Sequence, residues 1–167
     1  MFMSELATLH AALTATIREA IPELASVDTY TEAEKAPALP SLRHGIVRMV
    51  ADSAPRDGRS VLVTTFEADI TPAASNPQAR LQGSVLAAQV MDLLRQQLWG
   101  LEFVEPSRNV RAFFAGSGWR VRWDQPVLLG ELQWDWPDEP AGSLKLGFSP
   151  DTGKGNEPHY FAPEDLA

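Results

Sequence analysis

The sequence predicts an α+β fold: a mainly antiparallel sheet with two principal helices packed on one face, followed by a proline-rich C-terminal arm. Three observations lead there. Leu6, Leu9, Leu13, Ile17 and Ile21 recur at helical spacing, and so do Leu86, Val90, Leu94 and Leu98. Leu62, Phe66, Ala68 and Ile70 fall on one face of an extended segment, with Thr65, Glu67 and Asp69 on the other. Trp119, Val121 and Trp123 alternate with Arg120 and Arg122, so a strand there turns an aromatic face to a core and a cationic face outward.

The first helix follows Ser4, placed as its N-cap, and ends at Pro22, because a residue before proline is pushed out of helical geometry. Its apolar stripe is expected to pack in the core; packing against another subunit is the alternative. Val27 to Tyr30 reads as a short extended piece, and Thr31 to Pro40 as an exposed loop. Leu42 to Ala51 reads as a strand. Pro55, Asp57 and Gly58 then supply turn chemistry into the alternating strand from Leu62 to Ile70, making a hairpin.

A second helix is expected over Pro77 to Trp99, with Gly100 as its terminator. Gly83 inside it costs about 1 kcal/mol relative to alanine, and marks either a close helix–sheet approach or a frayed first turn. Arg111 to Ala115 is a strand turned by Gly116, Ser117 and Gly118 into Trp119. The apolar positions change from odd to even at Gln125–Pro126, with Leu128, Leu132 and Trp134 expected inside, so a bulge or bend is predicted there. From Asp135 the composition becomes rich in proline and glycine. The chain is therefore divided into a domain of residues 1–136 and an extended arm of residues 137–167, in which Phe148, Tyr160 and Phe161 are apolar anchors.

The 167 residues suit one domain with an arm, and 44% hydrophobic residues suit a folded core rather than a disordered chain. With no cysteine, disulfides, thiolate metal sites and cysteine nucleophiles are excluded. A net charge of -8 argues against an overall nucleic-acid binder and against anionic membranes. No apolar run approaches the roughly 20 residues of a membrane helix, and no secretory signal pattern opens the chain, so the expectation is a soluble protein made in a cytoplasm.

Chemistry has little to stand on. His10, His44 and His159 lack the H-x-x-x-H or H-E-x-x-H spacing of a metal site. Gly116-Ser117-Gly118 is accounted for by its hairpin, and no G-x-S-x-G elbow is present. Asp151-Thr152-Gly153-Lys154-Gly155 lacks the first glycine and the Ser/Thr of a phosphate loop. Asp135, Asp138 and Glu139 read as an acidic loop. No catalytic residue, cofactor or metal is expected. Arg120 and Arg122, with Arg111 across the hairpin, are expected to form ion pairs across strands or subunits with carboxylates such as Glu131.

The order of helix, acidic connector, hairpin, long helix and closing strands resembles the tail terminator and tail completion proteins of long-tailed bacteriophages. The segments that carry it are Leu6–Pro22 running into Glu23-Leu24, Ala38-Leu39-Pro40-Ser41-Leu42, Val61–Ile70, the helix with Ala88-Gln89-Val90-Met91-Asp92-Leu93-Leu94, and Trp119–Trp134. Together they span residues 4–136; the arm has no counterpart. The resemblance implies a structural virion protein rather than an enzyme. Such a protein forms a homo-oligomeric ring, a hexamer, at the head-proximal end of the tail after assembly in the host cytoplasm. Its implied partners are the tail tube protein and a neck or head-completion protein, with DNA passing through an acidic lumen without specific binding. Interface residues are expected at Arg111, Trp119, Arg120, Arg122, Trp134, Phe148, Tyr160 and Phe161, with the second edge of the ring contact at the Val61–Ile70 hairpin. A head–tail joining protein of the neck, and a small monomeric module using the tryptophan face as a groove, are the alternatives.

Overall fold

A computed structural model describes residues 3–30, 36–131, 145–148, 152, 155 and 157–162. Its elements run α1 (Met3–Ala20), β1 (Ser26–Thr29), β2 (Ser41–Ala51), β3 (Ser60–Thr71), α2 (Ala79–Leu93), β4 (Arg108–Ala115) and β5 (Gly118–Leu129). The strands form one five-stranded sheet in the order β1-β2-β3-β5-β4. Only the β1–β2 pair is parallel. The predicted α+β class, two helices on a mostly antiparallel sheet, is the observed one.

The helix α1 already includes Met3, so Ser4 lies within its first turn rather than before it. The stripe behaves as core: Leu9, Leu13, Ile17 and Ile21 are all buried, at 0 to 2% exposure. They meet Leu42 of β2, Phe66, Ala68 and Ile70 of β3, and Val121, Trp123 and Val127 of β5, together with Leu86 and Val90 of α2. Burial of such side chains contributes roughly 1.5–3 kcal/mol each, which makes this single layer between helices and sheet the main source of stability.

The two hairpins form for the reasons their sequences suggest. Arg56 and Arg59 bridge each other around Asp57 and Gly58, whose φ values of 52° and 74° are those of a type I′ turn. Ala115 pairs with Gly118 around Gly116 and Ser117, and Gly116 alone of that turn takes a positive φ, 64°. Gly83 marks a close approach of helix and sheet. A Cβ there would stand 3.2 Å from Cδ1 of Trp119 and 3.6 Å from Pro72.

Two expectations are corrected. The helix α2 stops at Leu93 rather than Trp99, and Leu98, expected in the stripe, is exposed. Its last carbonyls are taken by local donors, Leu94 N to Val90, Arg95 N to Asp92 and Gln97 Nε2 to Leu93 (3.2 Å). Just past the end, Ser107 Oγ donates to the carbonyl of Leu94 and accepts from the Gln97 amide (3.0 Å). Gln96, Trp99 and Gly100 then take positive φ values, which drop Trp99 into the core at 5% exposure. Gln125, fully buried on β5, accepts from Trp99 Nε1 (2.8 Å) and donates to the carbonyl of Gln97 (3.1 Å) and to that of Glu105.

The strand β5 does not bulge at Gln125–Pro126. Its register with β3 runs unbroken from Ile70↔Trp119 to Ser60↔Leu129, and odd positions still face the core at Val127. Leu128, though buried, stands on the opposite face beside Val61. Proline is tolerated because, on that side, the ladder with β4 has already ended at Arg108↔Asp124. Beyond it the segment 103–105 takes over, through Glu105 N to Pro126 O (3.0 Å) and Leu128 N to Phe103 O (2.8 Å). Leu132 and Trp134 lie outside the described residues.

The chain divides into two units, Met1–Gln133 and Trp134–Ala167. In the second, Leu146 and Phe161 form an antiparallel bridge with amide-to-carbonyl distances of 2.7 and 2.9 Å, next to a short 3₁₀ turn, Glu157–His159. Tyr160 lies against Gly147 so closely that a Cβ would stand 2.5 Å from its ring. No helix among the described residues is long and apolar enough to cross a membrane.

Candidate functional site

The sheet face away from the helices gathers charge in cross-strand rows. Arg43, Asp69, Arg120 and Phe113 form one row; Gly45, Glu67, Arg122 and Arg111 form the next; Arg48, Thr65, Asp124 and Arg108 form the third. Glu67 is only 6% exposed although it faces outward. It accepts from Arg122 through Nε (3.0 Å) and Nη2, and Arg120 Nε stands 3.2 Å away. Arg120 also donates to Asp69 Oδ1 at 2.5 Å, and Tyr30 donates its hydroxyl to Asp69 Oδ2 at 3.1 Å. The Asp69 carboxylate holds the Arg120 guanidinium above its ordinary range. Burial, then the charge of Asp69, pushes the Tyr30 phenol well above its own.

Tyr30 reaches this position by lying flat over Gly45, where a Cβ would stand 2.5 Å from its ring. Asp124 is satisfied by Thr65 Oγ1 and Asn109 Nδ2, both at 2.8 Å. A cleft of about 460 Å³ opens on this face, lined by Val47, Arg48, Thr65, Arg111, Arg122 and Asp124. Arg111 donates to the backbone carbonyl of Asn109 (3.3 Å), and neither it nor Arg48 has a carboxylate within ion-pair distance among the described residues. Charge-assisted binding of an anion is the chemistry such donors support.

Arg120 and Arg122 thus point outward, as the alternation predicts, and Arg111 stands directly opposite Arg122. Their carboxylate partners are Glu67 and Asp69 of the same chain, not Glu131, which lies past the end of β5. Trp119 is half-buried on the helix side, edge-on to Phe114 with ring centres 6.0 Å apart. Those two rings, with Arg80 and Gly83, border a second cavity of about 340 Å³. Phe148 and Phe161 are exposed and Tyr160 is half-buried, all in the second unit; Trp134 lies outside the described residues.

No protein-family model matches this sequence, and no curated protein is significantly similar to it.

The strands expected to meet a neighbour, β5 and β3, both lie inside the sheet. The open edges are elsewhere. At one end β4 has no outer neighbour among the described residues and exposes Phe113 and Phe114 at 37% and 46%. At the other end β1 covers β2 only from Ser41 to His44. Past a bulge at Val47, the outer edge of β2 is uncovered by any of the described residues and exposes Val47, Met49 and Val50 at 46, 56 and 43%. Unpaired strand edges with apolar side chains are templates for pairing with another chain. Sequence reasoning missed these residues, although two adjacent phenylalanines on one strand oblige one ring to face away from the core.

A half-buried histidine of α1, His10, meets a fully buried one of β2, His44. His10 and His44 stack with ring centres 5.6 Å apart, and His10 stands 5.3 Å from Phe66. Thr14 Oγ1 donates to the carbonyl of His10 (2.8 Å) and so accepts from His44 Nε2 (2.8 Å), which places the neutral ring's proton on Nε2. Burial, with a smaller contribution from His10, lowers His44 to about 4; burial lowers His10 as well. The folded value lies below the unfolded one, so stability is complete above pH 6.5 and is lost as pH falls toward 4. A change from pH 7.5 to pH 5 should cost about 2 kcal/mol. Urea midpoints at the two pH values check this, and His44→Gln should flatten the dependence.

Proposed function

We propose that this chain is the subunit of a ring that caps the tail tube of a long-tailed bacteriophage, ends tube polymerisation and offers a docking surface to the head or neck. The observation that carries the reading is the pair of open, apolar strand edges at opposite ends of one sheet. Two different patches on one protomer are what a head-to-tail ring requires. The α+β architecture agrees with what the resemblance implies, and the net charge of -8 suits a ring through which DNA slides without being held. Native mass spectrometry, then mixing with tail-tube protein under the electron microscope, tests the proposal. A discrete ring, or incorporation at tube ends that limits their length, is the expected result; a monomer indifferent to tubes would refute it.

The arginine cleft favours a second reading, a monomeric module that binds an anion through Arg48, Arg111 and Arg122. Saturable calorimetric binding of inorganic phosphate by a protein that stays monomeric would support it over the ring.

A further inference from the structure

We infer that successive subunits join by adding β4 of one copy, antiparallel, to the uncovered edge of β2 in the next, in a single register. The inference rests on the ring reading and supplies its contact. Strand directions alternate from β2 through β3 and β5 to β4, so β4 runs antiparallel to β2 within one chain. A neighbour placed beside β2 with its helices on the same side therefore presents β4 in the antiparallel sense, and one sheet continues from subunit to subunit.

The faces then limit the register. On β4, Arg111 and Phe113 point to the charged face, and Ala112 and Phe114 to the helix face, as their partners on β5 require. On β2 beyond the bulge, Arg48 and Val50 share the charged face while Met49 and Ala51 share the helix face. Three face-matched registers bring these segments together. One sets Phe113 against Arg48, and another sets it against Asp52. The third pairs Phe113 with Val50, Phe114 with Met49, Ala112 with Ala51, Ala115 with Arg48 and Arg111 with Asp52. It alone covers both aromatic rings with apolar partners, including a methionine–aromatic contact, and gives Arg111 a carboxylate opposite it. Gly45, Ile46 and Val47 separate the last β1 pair at His44 from Arg48, which leaves a gap for the Gly116–Ser117 turn.

The absence of native cysteine makes the register directly readable. Ala51→Cys and Ala112→Cys in one chain stand on strands separated by β3 and β5, at least about 14 Å apart at 4.7–4.9 Å per strand, and further apart along the strands, since Ala51 aligns through Leu62 with Val127 of β5 whereas Ala112 aligns with Val121. That is beyond the 4.4–6.8 Å Cα separation of a disulfide, so any bond must join two copies. Mild oxidation of the full chain should convert most of it into a reducible ladder that ends at one ring-sized species. Ala51→Cys with Ala115→Cys places the thiols on opposite faces and should stay at the monomer band. A ring in native mass spectrometry with no Ala51–Ala112 cross-link would overturn the β4–β2 contact and leave the ring reading standing. Equal cross-linking of both variants would overturn the register. A monomer at every concentration that forms no cross-link even when mixed with tail-tube protein, and does not enter the tubes, would overturn both the contact and the ring.

Discussion

Trp123→Ala should lower stability by about 4 kcal/mol, the upper part of the range for truncating a large buried aromatic. Trp123 is fully buried and stacks on Phe66 with ring centres 5.3 Å apart and planes 11° from parallel. Phe66 in turn touches His10, which stacks on His44, so a ring-to-ring contact runs from β5 through β3 to α1 and β2. Removing the indole takes away the β5 end of that stack and leaves a hole that its strand-bound neighbours cannot close. The indole N–H has no hydrogen-bond partner among the described residues. Trp123→Phe keeps an aromatic ring and removes this unpaired donor, so its cost should be only about 1 kcal/mol. Urea denaturation followed by circular dichroism separates the two. If the alanine variant lost less than the phenylalanine variant, the stack would not be what holds the helices to the sheet.

The parts of this fold that the sequence made legible are those set by local periodicity. The stripe Leu9, Leu13, Ile17 and Ile21 packs as its spacing requires, and the alternation around Phe66 and Trp123 names the core face of both strands. What escaped depends on residues far apart in the chain. The helix α2 stops at Leu93 because Ser107 and Gln125, from a later loop and strand, bond Leu94, Gln97 and Trp99. Nothing local announces that end, since Leu94 and Leu98 continue the helical spacing. The apparent phase change at Pro126 arises because Leu128 is buried on the second face of the sheet, a condition that a one-face pattern cannot express. The candidate surface was half legible. Alternation put Arg120 and Arg122 outward and Glu67 and Asp69 outward as well, but only strand order makes them neighbours. The same order moves the open edges to β4 and β2.

That adjacency decides the second large effect. Arg120→Glu with Arg122→Glu should destabilise the folded chain by about 4 kcal/mol or more. The double change sets two new carboxylates against Glu67, which is 6% exposed, and Asp69. At 3–4 Å and an effective dielectric of about 20, one like-charge contact costs about 4 kcal/mol; several are created, and both arginine positions, about one-third exposed, let the new side chains swing toward water and relieve part of the cost. Glu67→Gln alone should cost less, about 2 kcal/mol, because it removes one carboxylate and leaves its two arginines free to reach solvent. If Arg120 and Arg122 acted by bridging subunits, the double variant would melt like the parent and fail only to assemble. Thermal unfolding of dilute protein distinguishes these outcomes. A fall in melting temperature that is partly restored by salt identifies the arginine–carboxylate layer as the armour of the protomer, leaving assembly to the sheet edges.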